Sequence, residues 1–381
     1  MQKKRRRVLL SLGWYDYRMH RGIARFAAEH GWHLCPDTTQ EKVIPWGWEG
    51  DGILAWLGAG DDLAEFVLQA RKPTVDFSFR RPQLPFPRVL ADHNAVACIV
   101  AEHFQTRGLR HFLFYSDSEN WAFEEYGWAF VAAVQQAGRE CTWLRWHRSS
   151  KFTTGRLQWQ HKRRWLAEEL RRAPKPVGVF AATDDHAMEV LEACEDAKLN
   201  VPEQVSIVGA NNSLLAVEAM GTPISTVDTN LELIGYRGAE WLNDLMNGKP
   251  APKAPVRVPP KGLIVRKSSD LVAVQHPGVA KSMRFILEHC HELIGVEDLA
   301  RHAGMSRRAL HQAFIDQIGR PPGAELHRVR IERAKKLLAE SNCKLQSVAE
   351  QCGYQSSNSF WVAFKHATGL TPTGYRESIL K

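Results

Sequence analysis

The apolar positions of this chain fall into two textures. From Arg7 to about Leu245, runs of consecutive apolar residues alternate with segments whose apolar residues recur every three to four positions. The first kind reads as strands buried on both faces, the second as amphipathic helices. VLLSLGW (8–14) precedes a predicted helix over Tyr17–His30, GILAWLG (52–58) one over Asp61–Ala70, and PTVDFSF (73–79) one over Ala95–Gln105. HFLFYS (111–116) leads to Glu124–Ala137, PVGVFAAT (176–183) to His186–Ala197, and VSIVG (205–209) to Leu214–Met220. This alternation predicts a parallel sheet with helices on both faces, whose ligands bind beyond the carboxyl ends of the strands.

The texture then changes. Pro250, Pro252, Pro255, Pro259 and Pro260 forbid a regular helix or a central strand, and a closing segment GLIVRKSS (262–269) follows. The expected division is an α/β domain over 1–270, a linker over 271–278 and an all-helical domain over 279–381. Helices are expected over Val279–His289, Val296–Ala303, Ser306–Gln317, Pro322–Ala339, Leu345–Gln351, Ser357–His366 and Pro372–Ser378.

The helical part repeats itself. VEDLARHAGMSRRALHQAFIDQIG (296–319) and LQSVAEQCGYQSSNSFWVAFKHATG (345–369) share a short helix, a glycine-centred turn, a capping serine, a second helix and a closing glycine. Two helices joined by a turn that admits positive φ, the second N-capped, make a helix-turn-helix unit. The segment between them reads as one helix of about twenty residues, about 30 Å at 1.5 Å per residue. That approaches the ~34 Å between successive major-groove faces of B-DNA.

Helical phase assigns the faces. With Leu310, Ala313 and Phe314 inward, Arg307, Arg308, His311 and Gln312 face outward, and such side chains can read guanine and adenine edges. With Phe360, Ala363 and Phe364 inward, Ser357, Asn358, Trp361, Val362 and Lys365 are the outward candidates of the second unit. Trp361 and Val362 there suit thymine methyl groups or sugars better than water.

Charge agrees with a polyanionic partner. The 381-residue chain carries a net charge of +8, and from Pro277 onward 15 Lys and Arg face 10 Asp and Glu. Seven scattered cysteines with no Cys-x-x-Cys pair suit reduced thiols, and neither metal site nor cofactor is expected. The start MQKKRRRVLLSLGW has too short an apolar run for an export signal, and no segment approaches the ~20 apolar residues of a membrane span. A cytoplasmic protein follows. Without a G-x-S-x-G elbow, phosphate loop or metal cluster, an enzyme is not expected. A sugar-binding module for transport or chemotaxis is the alternative, which the helical repeat argues against.

The closing string GYQSSNSFWVAFKHATGLTPTGYR (353–376) resembles the signature of the AraC/XylS family at Gly353, Tyr354, Phe360, Phe364, Lys365, Gly369, Thr371, Pro372, Tyr375 and Arg376. Leu299, Ala300, Gly304, Ser306, Leu310, Phe314, Gly319 and Arg330 fit the same family. The first ~270 residues resemble the effector domain of LacI/GalR repressors and periplasmic sugar-binding proteins. That likeness rests on Asp51-Gly52, Thr183–Ala187, Val201–Asn212, the segment from Pro223, Gly235 and the closing LIVRKSS. Effector domain first and AraC-type domain last is the arrangement of the xylose operon regulators.

The resemblance implies a two-lobed, periplasmic-binding-protein-like α/β effector domain and an all-α domain with two helix-turn-helix units. It implies a sugar held by polar groups at strand ends and stacked by aromatics. The candidates are Asp16, Asp117, Asp184, Asn211 and Asp228, with Trp14, Tyr15, Trp56 and Trp121 as stacking faces. Glu124 stands where a ligand-binding Arg is frequent, and Asn211 where Asp is common. Operator DNA, a sugar effector, RNA polymerase and a second copy of the chain are the expected partners.

Overall fold

A computed structural model describes residues 5–35, 44–58, 60–78, 80–117, 121–146, 155–213, 221–252, 254–270, 276–340 and 343–380. Of these, only the backbone is described at 121–122, 155–158, 336, 339–340 and 377–380. The expected helix Leu214–Met220 and the side chain of Trp121 lie outside the described residues.

The first domain has two lobes. Strands β1 (Arg7–Leu12), β2 (His33–Cys35), β3 (Gly52–Trp56) and β4 (Thr74–Asp76) form a parallel sheet in the order β2-β1-β3-β4. Helices α1 (Tyr17–His30) and α2 (Asp61–Ala70) alternate with these strands, and β5 (Val89–Ala91) ends this first run. The chain then crosses to a second sheet, ordered β12-β10-β9-β8-β6-β7. Its strands are β6 (His111–Asp117), β7 (Cys141–Trp146), β8 (Val177–Ala181), β9 (Val205–Ala210), β10 (Ser225–Asp228) and the antiparallel β12 (Gly262–Ile264). Helices α3 (His93–Thr106), α4 (Trp121–Gln136), α5 (Gly155–Arg172) and α6 (Asp184–Ala197) cover it.

After β10 the chain returns to the first lobe as α7 (Leu231–Met246), which contributes Leu231, Ile234 and Leu242 to that core. Glycines set the crossing of α1 and α7: a Cβ on Gly22 would lie 1.9 Å from the Glu232 carbonyl oxygen, and one on Gly235 2.1 Å from that of Met19. Strand β11 (Val256–Val258), inside the proline-rich stretch, pairs among the described residues with β5 in a two-stranded ladder, the edge position proline permits. Three crossovers thus join the lobes. Asp92 N–H donates to the Val258 carbonyl (2.8 Å) and Lys261 N–H to that of Asp228 (2.9 Å), tying the crossovers to one another.

Beyond β12 all described elements are helices: α8 (Pro277–His289), α9 (Val296–Ala303), α10 (Arg307–Ile318), α11 (Pro322–Glu340), α12 (Leu345–Gln351), α13 (Ser357–Thr368) and α14 (Pro372–Leu380). Pro277 and Gly278, at the end of the expected linker, form the first turn of α8. Two cores share α11. Leu326 and Val329 pack with Val279, Met283, Leu299, Leu310 and Phe314, whereas Ile331, Ala334 and Leu338 pack with Val348, Tyr354, Phe360 and Phe364.

Candidate DNA interface and effector cleft

Each recognition helix is started by a serine. Ser306 Oγ accepts from Ala309 N–H (3.2 Å) ahead of α10, and Ser356 Oγ from Ser359 N–H (3.1 Å) ahead of α13. The corner before each needs positive φ, supplied by Gly304 (67°) and Gly353 (71°). At Gly353 space is also short, since a Cβ would lie 2.5 Å from the carbonyl oxygens of both Cys290 and Glu292. Those carbonyls accept from Arg330 of α11, through Nε to Cys290 (3.0 Å) and a terminal N–H to Glu292 (2.7 Å) and Ile294 (3.1 Å). The guanidinium lies 5.6 Å from the centre of the Tyr354 ring, so one buried arginine binds the first unit to the second.

The outward faces carry the expected residues. Leu310, Phe314, Phe360 and Phe364 are buried, while Arg307, Arg308, His311, Gln312, Ser357, Asn358, Trp361, Val362 and Lys365 are exposed. Not all are equally available. Arg307 pairs with Glu297 (2.7 Å) and Gln312 donates to Asp316 (2.9 Å), whereas among the described residues nothing pairs with Arg308 or His311. Lys365 sits 4.9 Å over the Trp361 ring, which keeps a cation beside the exposed apolar pair. Aligning Ser306 with Ser356 gives a register of fifty residues and sets Ile315, 37% exposed, opposite Lys365. Hydrophobic patterning alone overlooked Ile315, and the repeat register reveals it.

In the first domain the carboxyl ends of the parallel strands of both lobes meet across a cleft. Trp14 and Trp56 stand together on the first lobe, ring centres 6.1 Å apart, with Trp14 38% exposed. Tyr15 is exposed beside them, its hydroxyl 2.9 Å from His20 Nδ1. Asp16 caps α1 by accepting from Arg18 N–H (2.8 Å), and its carboxylate also receives the Arg18 guanidinium in a two-point pair (3.0 and 2.8 Å). The remaining Arg18 nitrogen reaches across the cleft to the carbonyl oxygens of Asn211 (2.8 Å) and Asn212 (2.7 Å). Those two asparagines have φ of 98° and 52°, an uncommon backbone for a residue with a Cβ. Thr229 donates to Asn211 Oδ1 (3.2 Å), and Asp228 accepts from Asn230 N–H (2.9 Å). Asp16, Asn211 and Asp228 therefore share one mouth, and Arg18, unnoticed in the sequence, is what joins the lobes there.

The other acidic candidates sit differently. Asp117 is held between Lys162 (2.8 Å) and His186 (3.5 Å); burial raises its pKa, but bonds from His186 and Lys162 outweigh that and keep it below the ordinary carboxylate range. Glu124 faces Arg145 (3.8 Å), a neighbour at the β7 edge. Asp184 lies deeper. Only 2% exposed, it accepts from Ser213 N–H (2.7 Å) and from the Thr226 hydroxyl, so both oxygens are occupied inside the second lobe instead of facing the cleft. Burial lifts its pKa to about 7. Its position at the start of α6, behind the Thr183 cap, turns the side chain under β9, where a Cβ on Gly209 would lie 2.5 Å from it.

Comparison with known proteins agrees with both halves. Residues 101–269 match the periplasmic binding protein-like domain family, and residues 299–378 a helix-turn-helix domain family. The chain is 26% identical over 378 residues to the xylose operon regulatory protein of Escherichia coli K12, covering 95% of this chain and 94% of that one. It is 29% identical over 301 residues to the Haemophilus influenzae protein of the same name, covering 76% and 75%. The solved structure of a xylose-binding transcription activator aligns over 99% of both chains with a TM-score of 0.61 and 25% identity.

Proposed function

Because the chain is a transcription regulator of the xylose-operon-regulator type, with a periplasmic-binding-like domain ahead of an AraC-type helix-turn-helix domain, we propose that it senses xylose or a closely related pentose and thereby controls a carbohydrate-utilisation operon. The observation that carries this reading is the joining of a two-lobed cleft to two exposed recognition faces on one rod-like helix.

Residues 1–270 are the sensor and 279–381 the DNA-binding part. Trp14, Tyr15 and Trp56 offer stacking surfaces for a sugar, and Asp16, Asn211 and Asp228, with Arg18, the polar groups at the mouth. Asp117 and Glu124 border the site from the second lobe. On DNA, Arg308 and His311 read base edges, Arg307 and Gln312 support them, and Ser357, Asn358, Trp361, Val362 and Lys365 engage the second groove face. The protein works as a cytoplasmic homodimer that recruits RNA polymerase, and it is a regulator and not an enzyme. Among the described residues no helix is long and apolar enough to cross a membrane.

The test is thermal unfolding with xylose, ribose, arabinose and glucose, paired with operator titrations. Xylose at a hundred times its Kd should stabilise the protein by about 2.7 kcal/mol and change operator affinity. If none of these sugars shifts either quantity, the reading fails.

A further inference from the structure

Among the described residues, helix α3 of the sensor touches the crossovers, the root of the linker and the DNA-binding domain together. At its start His93 lies 2.6 Å from Glu125, which also takes Arg257 of β11 (2.7 Å), while Arg257 lies 3.2 Å from His93 Nδ1. Along its length the buried His103 meets Ser269 Oγ (2.8 Å) and Arg107 (2.9 Å), just where the sensor ends. Fourteen residues make it about 21 Å long at 1.5 Å per residue.

Its far end grips the first helix-turn-helix unit. Glu102 pairs with Arg328 of α11 (3.1 Å), and Arg328 in turn holds Glu325, a fully buried carboxylate that Arg320 also meets (3.3 Å). Four residues after α3, Arg110 donates to the carbonyl oxygens of Asp316 (3.1 Å) and Gln317 (3.1 Å), the open carbonyl end of recognition helix α10. A cation there complements the partial negative charge of the helix terminus. Around these contacts lies a cavity of ≈ 320 Å³, lined by Gln105, Arg139, Gln317 and Arg320 among others, so the junction is polar and incompletely packed. Junctions of this character release more readily than apolar ones.

Resting on the sugar-sensing reading, we propose that Arg110 and Glu102 are positioning residues: they seat α10 and α11 on the sensor, and α3 carries the arrangement of the cleft to the first recognition helix. DNA affinity then depends on the effector through the first unit, and the second follows through Arg330. Ligand acts by favouring one seating over another.

The experiment uses the full-length chain and alters only the sensor side: Arg110→Gln with Glu102→Gln, Arg110→Glu, and Arg110→Lys. Operator affinity is measured with and without xylose, and xylose affinity separately by tryptophan fluorescence. The double variant should keep its xylose affinity within twofold while the ratio of operator affinities collapses to within twofold of unity. Arg110→Glu, which sets a negative charge against the carbonyl end, should do the same alone, and Arg110→Lys should restore a good part of the ratio. A double variant with the wild-type ratio overturns the proposal. A second measurement needs no sugar: hydrogen exchange at 313–330 should quicken in the double variant, and unchanged exchange there also overturns it. Should wild-type operator affinity ignore xylose while exchange still quickens, the choice of sugar fails and the grip stands.

Discussion

At the scale of single residues, Asp184 shows most plainly how position governs chemistry. A carboxyl group at a strand end reads in sequence as a ligand contact, because the residues around it resemble a sugar-binding motif. Its orientation depends on Thr226 and Ser213, dozens of positions away, and helical phase carries no information about them. The consequence is measurable. An acid whose folded pKa of about 7 exceeds its unfolded value of 3.8 favours the fold while protonated. Stability should therefore fall as pH climbs from about 4 to about 7, by about 4 kcal/mol from this group. Asp184→Asn should flatten that slope in denaturant titrations; an unaltered slope would place the proton elsewhere. Arg308 was by contrast legible, since its exposure needs only the phase set by Leu310 and Phe314. Arg308→Ala should weaken operator binding by about 1–3 kcal/mol and relax preference at one base pair. Equal loss on every sequence would mark a phosphate contact instead.

At the scale of elements, what the pattern announced and what it hid have separate causes. The helices of the second domain have caps, closing glycines and clean apolar stripes, all written within a dozen residues. Strand β7 and helices α5 and α7 were not anticipated. In α5 the buried residues Leu166, Ala167 and Leu170 lie in the later turns, behind a charged stretch, and in α7 the stripe is broken by Gly235 and Gly238 where α1 and Phe77 press close. Arg330 belongs to the same lesson, for its role arises from three carbonyls some forty residues upstream. Burial pulls its pKa down, yet the three carbonyls and Tyr354 surround the charge. Arg330→Met leaves those carbonyls without their donor, and a loss of about 3 kcal/mol in unfolding free energy is expected. A loss below about 0.5 kcal/mol would show that solvent replaces it freely.

At the scale of the whole molecule, the order of domains could be read because composition and periodicity change near Pro277. The two lobes could be expected only through family likeness, since neither lobe is a continuous stretch of chain. The first lobe is built from residues before Asp92 and again from α7, whose Leu231, Ile234 and Leu242 fill its core. A fragment ending at Ala91 should accordingly show no cooperative thermal transition by circular dichroism, whereas residues 1–270 should. A sharp transition in the short fragment would mean that α7 is dispensable. The long-range bonds of Arg18, 193 and 194 positions from their acceptors, belong to this scale and lie beyond any local pattern.

The fifty-residue register bears on the DNA itself. Arg308 occupies in the first unit the place of Asn358 in the second, and His311 that of Trp361. On the proposed reading, the stretch of duplex beneath this chain would meet unlike heads in a fixed sequence, Arg308 and His311 at one end and the Trp361 and Val362 pair at the other. Such a site would have a sense, as a sentence does. Reversing it, with composition and spacing untouched, would set the bases chosen by Arg308 beneath Trp361, and the protein would meet the same letters as a different word.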